Sequence, residues 1–179
     1  MQDFYEMKIA GLSRSLPICE VNNTIDIAAF IIFGDVELTM AASAALLEKA
    51  PEFDIIVTPE AKSIPIAYEM ARQSGKSYVV ARKTTKLYMK EPLKIEVRSI
   101  TTDRIQTLYL GAVEAEMIKG RRVLVVDDVI STGGSLMAVQ SLVKKAGGNV
   151  VACCAILAEG DAAKRDDIIF LEPLPLFFK

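Results

Sequence analysis

The sequence predicts an α/β fold in which a mostly parallel central sheet is flanked by helices. Two strand–helix–strand units support this prediction, because strands that alternate with helices are typical of a parallel sheet. In each unit the strands are short apolar runs, and the helix carries apolar residues three and four positions apart. The units comprise residues 53–58, 60–73 and 78–81, and residues 123–126, 135–146 and 149–157.

The helices in these units have recognisable ends. A first helix is predicted over residues 39–50, and it ends near Pro51 because proline cannot continue a helix. Gly75 follows the helix of the first unit, and Gly147 and Gly148 follow the helix of the second. Glycine is favoured just past a helix carboxyl end, so these positions mark where each chain segment turns back toward the sheet.

The stretch of residues 84–110 interrupts the strand–helix alternation. Residues 95–100 and 105–110 each alternate apolar and polar side chains, with polar residues 101–104 between them. This pattern predicts a long antiparallel β-hairpin that projects from the sheet, and long excursions of this kind usually serve function. The apolar tail, residues 170–179 (FLEPLPLFFK), is expected to pack against the body of the protein.

Length, composition and charge limit the class of protein. The chain has 179 residues, of which 51% are hydrophobic, so we expect a single domain over residues 1–179. The formal net charge of −2 gives no basic surface for nucleic acid. The apolar runs 25–33 and 150–158 are too short to span a bilayer, and the amino terminus lacks the basic region of a signal peptide. We therefore expect neither a nucleic-acid nor a membrane partner.

The cysteine and histidine content restricts the chemistry. Cys19, Cys153 and Cys154 lack metal-ligand spacing, so we expect free thiols and a location in the reducing cytoplasm. The chain contains no histidine, which excludes Ser-His-Asp catalysis, Cys-His catalysis and imidazole metal sites. Any proton transfer must then fall to Asp, Glu, Lys, Tyr, Cys or water.

The most informative motif is VLVVDDVISTGGS, residues 123–135. Asp127 and Asp128 follow the predicted strand 123–126, at the sheet edge where open parallel sheets bind ligands. A loop that offers hydroxyls and backbone N–H groups then leads into a helix, which suits a phosphate. A diol-binding acidic pair beside a phosphate loop indicates a ligand such as a ribose 5-phosphate. The loop residues are Ser131, Thr132, Gly133, Gly134 and Ser135.

This motif resembles the phosphoribosyl-pyrophosphate (PRPP) motif of the type I phosphoribosyltransferases. The resemblance implies that family's fold, with a flexible β-hairpin loop over residues 84–110 and a small hood to which residues 1–35 contribute. It also implies that Asp127 and Asp128 hold the ribose 2- and 3-hydroxyls, and that loop 131–135 holds the 5-phosphate. The alternative is another nucleotide-binding or receiver-like domain, but the chain has neither a Walker lysine nor GxGxxG.

Two further loops are predicted at the same sheet edge and suit the pyrophosphate of PRPP. The first follows strand 53–58 and resembles the pyrophosphate loop of adenine-type enzymes, although serine stands at its fourth position, where glycine is common. The second follows strand 78–81 and supplies cations, of which arginine offers a bidentate fork and lysine a point charge. The candidate residues are Glu60, Ala61, Lys62 and Ser63 in the first loop and Arg82, Lys83 and Lys86 in the second.

The resemblance implies a purine phosphoribosyltransferase of purine salvage, which converts a purine and PRPP into a nucleoside 5-monophosphate and pyrophosphate. Adenine is favoured, with xanthine or hypoxanthine/guanine as alternatives. The family further implies a Mg²⁺ ion held mainly by PRPP, with no direct side-chain ligand, and a homodimer. Asp127 is the first candidate for the catalytic residue that assists deprotonation of the base.

The sequence departs from the adenine-type pattern in two regions. Residues 99–106 (SITTDRIQ) contain neither the Tyr-Gly pair nor the nearby Glu of that loop, and residues 1–35 lack the Phe-Pro-rich purine hood. Residues 104–107 (RIQT) instead resemble the xanthine-type enzymes and the related purine-operon repressor. A non-catalytic PRPP-sensing protein is therefore a second hypothesis.

Overall fold

The computed structural model of the protein describes residues 3–98 and 105–179. The strands, numbered along the chain, are β1 (Phe4–Ile9), β2 (Leu12–Asn22), β3 (Ile25–Ala28), β4 (Ile55–Pro59), β5 (Ser77–Ala81), β6 (Leu93–Arg98), β7 (Ile105–Leu110), β8 (Arg122–Ile130), β9 (Asn149–Glu159), β10 (Ile169–Leu174) and β11 (Leu176–Phe178). The helices are α1 (Val36–Lys49), α2 (Ile64–Ser74), α3 (Ala112–Ile118) and α4 (Gly134–Lys145), and a short 3-10 helix spans Gly160–Lys164.

A five-stranded parallel sheet in the order β10-β9-β8-β4-β5 forms the centre of the fold. Every residue of β4 is buried, as expected for a strand covered by helices on both faces. Val57 and Val125 belong to the core on the α4 face, while Ile56 and Leu124 belong to the core beneath α1 and α2. The predicted fold class is therefore confirmed.

The two chain ends meet in a second, four-stranded sheet in the order β1-β2-β3-β11. All of its pairings are antiparallel, and it corresponds to the small hood expected from the resemblance. The carboxyl-terminal tail packs as expected, because β10 extends the central sheet beside β9 and β11 pairs with β3. Arg14 in β2 bonds Asp35, the N-cap of α1, at 2.6 Å, and so ties this sheet to the first helix.

Three predicted element boundaries are wrong, and two of the corrections affect the predicted ligand-binding edge. Helix α1 begins at Val36 rather than at residue 39, because the Asp35 side chain caps it by accepting from the Leu38 backbone N–H. Helix α2 begins at Ile64 rather than at Glu60, because Ser63 is its N-cap and Pro65 lies in its first turn. Strand β8 continues to Ile130 rather than ending at residue 126, because its partner β9 is equally long and pairs with it beyond that point. The acidic pair therefore lies within the strand. Helix α3 and strands β1 to β3, β10 and β11 were not predicted.

The predicted hairpin is confirmed as the antiparallel pair β6 and β7. It is joined to the central sheet where Arg82 and Tyr109 exchange backbone hydrogen bonds of 2.8 and 2.9 Å. Leu108 and Leu110 are buried in the core on the α4 face, so the described strands pack onto the body. The predicted tip, residues 101–104, and the last two residues of the predicted strand 95–100 lie outside the described residues. Across residues 3–98 and 105–179, no helix has the length and apolar character needed to cross a membrane.

Gly148, in the turn from α4 into β9, lies too close to its neighbours for a larger side chain. A Cβ on Gly148 would lie 2.5 Å from a methyl of Ile118, 2.9 Å from Val143 and 3.1 Å from Val123. Gly148→Ala should therefore lower the free energy of unfolding by about 1–3 kcal/mol through overpacking, measured by urea denaturation. Lys144→Ala, at an exposed position of α4, is the control and should change stability by less than about 0.5 kcal/mol. Equal stability of both variants would contradict this packing.

Candidate active site

The carboxyl ends of β4, β8 and β9 border a cavity of about 1090 Å³. A parallel sheet brings these ends to one edge, which is the usual position of a ligand site in such folds. Both polar and apolar side chains line the cavity. Its polar lining comprises Glu60, Lys62, Ser63, Lys83, Gln106, Thr107, Asp127, Asp128, Ser131, Ser135 and Glu159, and its other lining residues are Ile27, Ala28, Ala29, Phe30, Ile31, Pro59, Ala61, Ile105, Leu108, Val129 and Leu174.

The acidic pair lines the cavity and is almost entirely buried. The exposed fraction is 8% for Asp127 and 5% for Asp128, and the Asp128 backbone N–H donates to Asp127 Oδ1 at 2.9 Å. Burial raises the pKa of the Asp127 carboxyl well above its usual range, and the neighbouring charge of Asp128 raises it further. A charged carboxylate is disfavoured in a site of low dielectric, so the ionised form of Asp127 binds a proton more readily than an exposed carboxylate does.

Lys62 supplies the counter-charge to this pair. Its Nζ lies 3.1 Å from Asp128 Oδ2, and within residues 3–98 and 105–179 this buried oxygen accepts no hydrogen bond. Half of the Lys62 side chain remains exposed, so the ammonium can reach both the acidic pair and the open cavity. A ligand that satisfied Asp128 Oδ2 would free this cation to contact an anion.

The loop between β4 and α2 closes around its own serine. Ser63 is buried, and its hydroxyl donates to the Pro59 carbonyl oxygen at 2.8 Å. The peptide bond between Glu60 and Ala61 is cis. Glu60, Ala61, Lys62 and Ser63 all line the cavity, so the structure brings together every residue predicted for this loop.

The second predicted loop is joined to the first by an ion pair. Glu60 accepts hydrogen bonds of 3.0 Å from the Lys83 backbone N–H and from Arg82 Nη1, and these two contacts lower the pKa of Glu60 despite some burial. Lys83 lines the cavity, whereas the described lining includes neither Arg82 nor Lys86. Lys86 Nζ contacts Thr84 at 3.3 Å. Of the three predicted cations, the structure places only Lys83 directly at the cavity.

The loop after β8 surrounds a smaller hollow of about 190 Å³ beside the main cavity. Gly133 has a φ of +80° and forms the N-cap of α4, a backbone conformation that glycine adopts without strain. A side chain there would also meet the Arg165 guanidinium, because a Cβ would lie 2.7 Å from Arg165 Nη1. All five predicted phosphate-loop residues line this hollow: Ser131, Thr132, Gly133, Gly134 and Ser135.

The sequence analysis did not identify the apolar lining of the cavity. It is formed by residues 27–31, where β3 leads toward α1, together with Val129 and Leu174. These side chains carry no motif, so nothing in the sequence distinguishes them from ordinary core. Glu159 was also missed, although an acid at the end of predicted strand 149–157 was a usable signal. Burial raises the pKa of Glu159, and the charge of Lys62 opposes this effect.

Comparison with known proteins agrees with this geometry. Residues 37–174 match the family described as phosphoribosyl transferase domain. The chain belongs to this family. The phosphoribosyltransferase resemblance of the acidic motif is thus confirmed, and the matched region contains the acidic pair and all three predicted loops.

Individual phosphoribosyltransferases show the same relationship. The chain is 37% identical over 122 residues to an adenine phosphoribosyltransferase of Thermotoga petrophila. These residues make up 68% of this chain and 64% of the relative. It is 40% identical over 112 residues to a hypoxanthine/guanine phosphoribosyltransferase of Methanococcus voltae. These residues make up 63% of this chain and 56% of the relative. The chain thus matches less than two thirds of the length of either relative.

A solved structure has a similar fold. The crystal structure of adenine phosphoribosyltransferase from Thermoanaerobacter pseudethanolicus superimposes with a TM-score of 0.67 at 25% sequence identity. The superposition covers 79% of this chain and 84% of that structure. The likeness therefore extends over most of both molecules.

The buried carboxyl of Asp127 predicts a pH-dependent change in stability. Its native pKa lies above the ordinary value of 3.8, so between the two values the folded state holds a proton that the unfolded state lacks, and stability falls as pH rises. Asp127→Asn removes this titration. We expect the variant to be more stable than the wild type by on the order of 2 kcal/mol at pH 9, and to differ little at pH 4.

Urea denaturation at both pH values would measure this difference. Asp166→Asn, which removes an exposed carboxylate, is the control and should follow the wild type at each pH. A constant stability difference between Asp127→Asn and the wild type from pH 4 to pH 9 would contradict the raised pKa.

Proposed function

We propose that this protein is a purine phosphoribosyltransferase that transfers the phosphoribosyl group of PRPP to a purine base, giving a nucleoside 5-monophosphate and pyrophosphate. One observation carries the proposal: a single cavity is lined by the buried acidic pair, by Lys62 and Lys83 of the two predicted pyrophosphate loops, and by Ser131 and Ser135 of the predicted phosphate loop. PRPP has a diol between two phosphate groups, and this order of groups matches the order of subsites. The names of the similar proteins support the same activity.

The proposed PRPP subsites follow from the positions of the loops. Asp127 and Asp128 accept hydrogen bonds from the ribose hydroxyls, and loop 131–135 surrounds the 5-phosphate with hydroxyls and the amino end of α4. Lys62 and Lys83 contact the pyrophosphate, whose departing charge they stabilise. We propose Arg82 and Lys86 as outer members of this subsite, where Arg82 holds Glu60 and thereby keeps the two loops together.

The proposed chemistry needs a proton acceptor and a way to balance charge. Asp127, with its raised pKa, is the proposed acceptor of the proton that the purine nitrogen loses. Mg²⁺ would enter with PRPP, because pyrophosphate and ribose oxygens are the hard ligands that this ion prefers. Asp128 Oδ2, which is buried without a hydrogen bond, fits a ribose hydroxyl or a metal-bound water. When bound, the ion would supply positive charge to the leaving pyrophosphate.

We propose that the base binds against the apolar lining of the cavity. Residues 27–31, Val129 and Leu174 offer flat apolar contacts to a planar ring, and Glu159 offers an acceptor for an N–H donor of the base. Adenine is the proposed substrate, since an adenine enzyme is among the similar curated proteins and a superimposed solved structure is also an adenine enzyme. Hypoxanthine and guanine are the first alternatives, followed by xanthine.

A purine panel tests this function. The protein is incubated with PRPP, Mg²⁺ and adenine, hypoxanthine, guanine or xanthine in turn, and pyrophosphate release is measured. We expect the greatest turnover with adenine, and we expect Asp128→Asn to weaken PRPP binding at least tenfold because a charged acceptor is lost. Tight PRPP binding without turnover of any purine would contradict the enzyme and indicate the PRPP-sensing protein.

We also propose a homodimer, through an exposed apolar surface beside the site. Val36 is 68% exposed, Tyr68 54% and Met40 48%, and all three line a cleft of about 500 Å³ between α1 and α2. Apolar side chains clustered in this way usually mark a protein contact. Ile31, which is 60% exposed, borders the main cavity, so this surface adjoins the proposed base site.

A charge placed in this surface tests the dimer. Val36→Glu should convert a dimer into a monomer in sedimentation-equilibrium measurements, because an unpaired carboxylate would be buried at the interface. Val113→Glu is the matched control, since Val113 is 74% exposed on α3. A wild-type protein that is monomeric at every concentration, or a Val36→Glu protein that remains dimeric, would contradict this interface.

The proposed location is the cytoplasm. Cys19, Cys153 and Cys154 are free thiols in the structure, and unpaired cysteines are typical of reducing compartments. Burial raises the pKa of Cys153 to about 11 and that of Cys154 to about 12, so these two thiols stay protonated and unreactive at neutral pH.

A further inference from the structure

Gln106 in β7 forms a hydrogen bond between the hairpin and the proposed phosphate loop. Its side-chain Nε2 donates to Ser135 Oγ at 3.2 Å, across 29 positions of sequence. Gln106 and Ser135 also belong to the lining of both the main cavity and the smaller phosphate hollow. The Gln106 amide therefore stands where the two compartments meet.

The backbone around Gln106 is fixed by the fold. Gln106 pairs with Val97 across the hairpin, and Leu108 and Leu110 on the same strand are buried in the core. Tyr109 joins this strand to Arg82 at the edge of the central sheet. A side chain held by such anchors can impose a direction on a partner, whereas an unanchored one would follow its partner.

The hydrogen bond decides which role the Ser135 hydroxyl can play. A serine hydroxyl has one proton and two acceptor lone pairs. Because Ser135 Oγ accepts from the Gln106 amide, its own proton remains available for donation to another group. A phosphate dianion accepts hydrogen bonds and donates none, so this arrangement prepares the hydroxyl for a phosphate oxygen and disfavours the opposite orientation.

We infer that Gln106 is a positioning residue for the 5-phosphate of PRPP, acting through Ser135. This inference rests on the proposed function, because the loop must bind the 5-phosphate for the orientation of Ser135 to matter. Gln106 orients the Ser135 hydroxyl as a donor toward a phosphate oxygen.

Binding of ribose 5-phosphate and of inorganic pyrophosphate, measured by calorimetry, separates this role from a general structural one. Gln106→Ala should weaken ribose 5-phosphate binding about three- to tenfold and leave pyrophosphate binding unchanged, because only one subsite is affected. The KM for PRPP should rise by the same factor, with kcat within about twofold. Gln106→Met, which keeps the length of the side chain, replaces the alanine variant if the latter does not fold.

A double-mutant cycle tests the route through Ser135. Ser135→Ala should weaken ribose 5-phosphate binding, and adding Gln106→Ala to it should cause no further loss, because residues that act through one hydrogen bond are not additive. Ser135→Thr keeps the hydroxyl and should bind ribose 5-phosphate more tightly than Ser135→Ala does. Gln140→Ala is the matched control. Gln140 lies in α4, and its side-chain amide, like that of Gln106, forms a hydrogen bond, but its partner is Cys153 rather than Ser135.

The outcomes distinguish this inference from the function beneath it. Wild-type affinity of both the alanine and methionine variants of Gln106, additive losses in the cycle, or an equal loss of pyrophosphate binding would overturn the positioning role while the transferase proposal stands. Failure of the wild type and Gln140→Ala to bind either ribose 5-phosphate or PRPP would instead overturn the proposed function, and the inference with it.

Discussion

Two adjacent carboxylates buried on the central strand of the sheet are the constraint around which the site is built. Asp127 and Asp128 are each less than a tenth exposed, and placing two like charges side by side in a poorly solvated site is costly. Three features offset this cost: a raised pKa of Asp127, which lessens its charge, the Asp128 backbone N–H, which donates to Asp127, and Lys62, which lies 3.1 Å from Asp128.

The two loops that we propose to bind pyrophosphate are connected to the acidic pair and to each other. The β4 loop delivers Lys62 to the acidic pair and Glu60 to the basic segment after β5. Glu60 in turn neutralises part of that basic charge before any ligand is present. Lys62, Asp128 and Glu60 therefore already have ionic partners inside the protein, and a ligand would exchange these partners rather than meet bare ions.

Much of the fold could be predicted from the residues because local pattern and tertiary position agree there. The apolar runs that became β4, β5, β8 and β9 are continuous, as buried parallel strands require, and the two alternating segments became the β6–β7 hairpin. Prediction was wrong where long-range pairing overrode local signals. Strand β8 extends through the acidic pair because β9 continues beside it, and the terminal strands β1 to β3 and β11 gain their order mainly from one another and from the core.

By itself, the sequence determined the parallel α/β class, the acidic pair, the phosphate loop and the family, since each depends on residues that are neighbours in the chain. Only the tertiary structure decided which cations reach the cavity, because that depends on partners far away in sequence: Lys83 lines it, whereas Arg82 is drawn toward Glu60. The apolar lining of the cavity and the contact between Gln106 and Ser135 were likewise decided by folding. Their residues carry no local signature, and they become a site only when separate strands bring them to the same edge of the sheet.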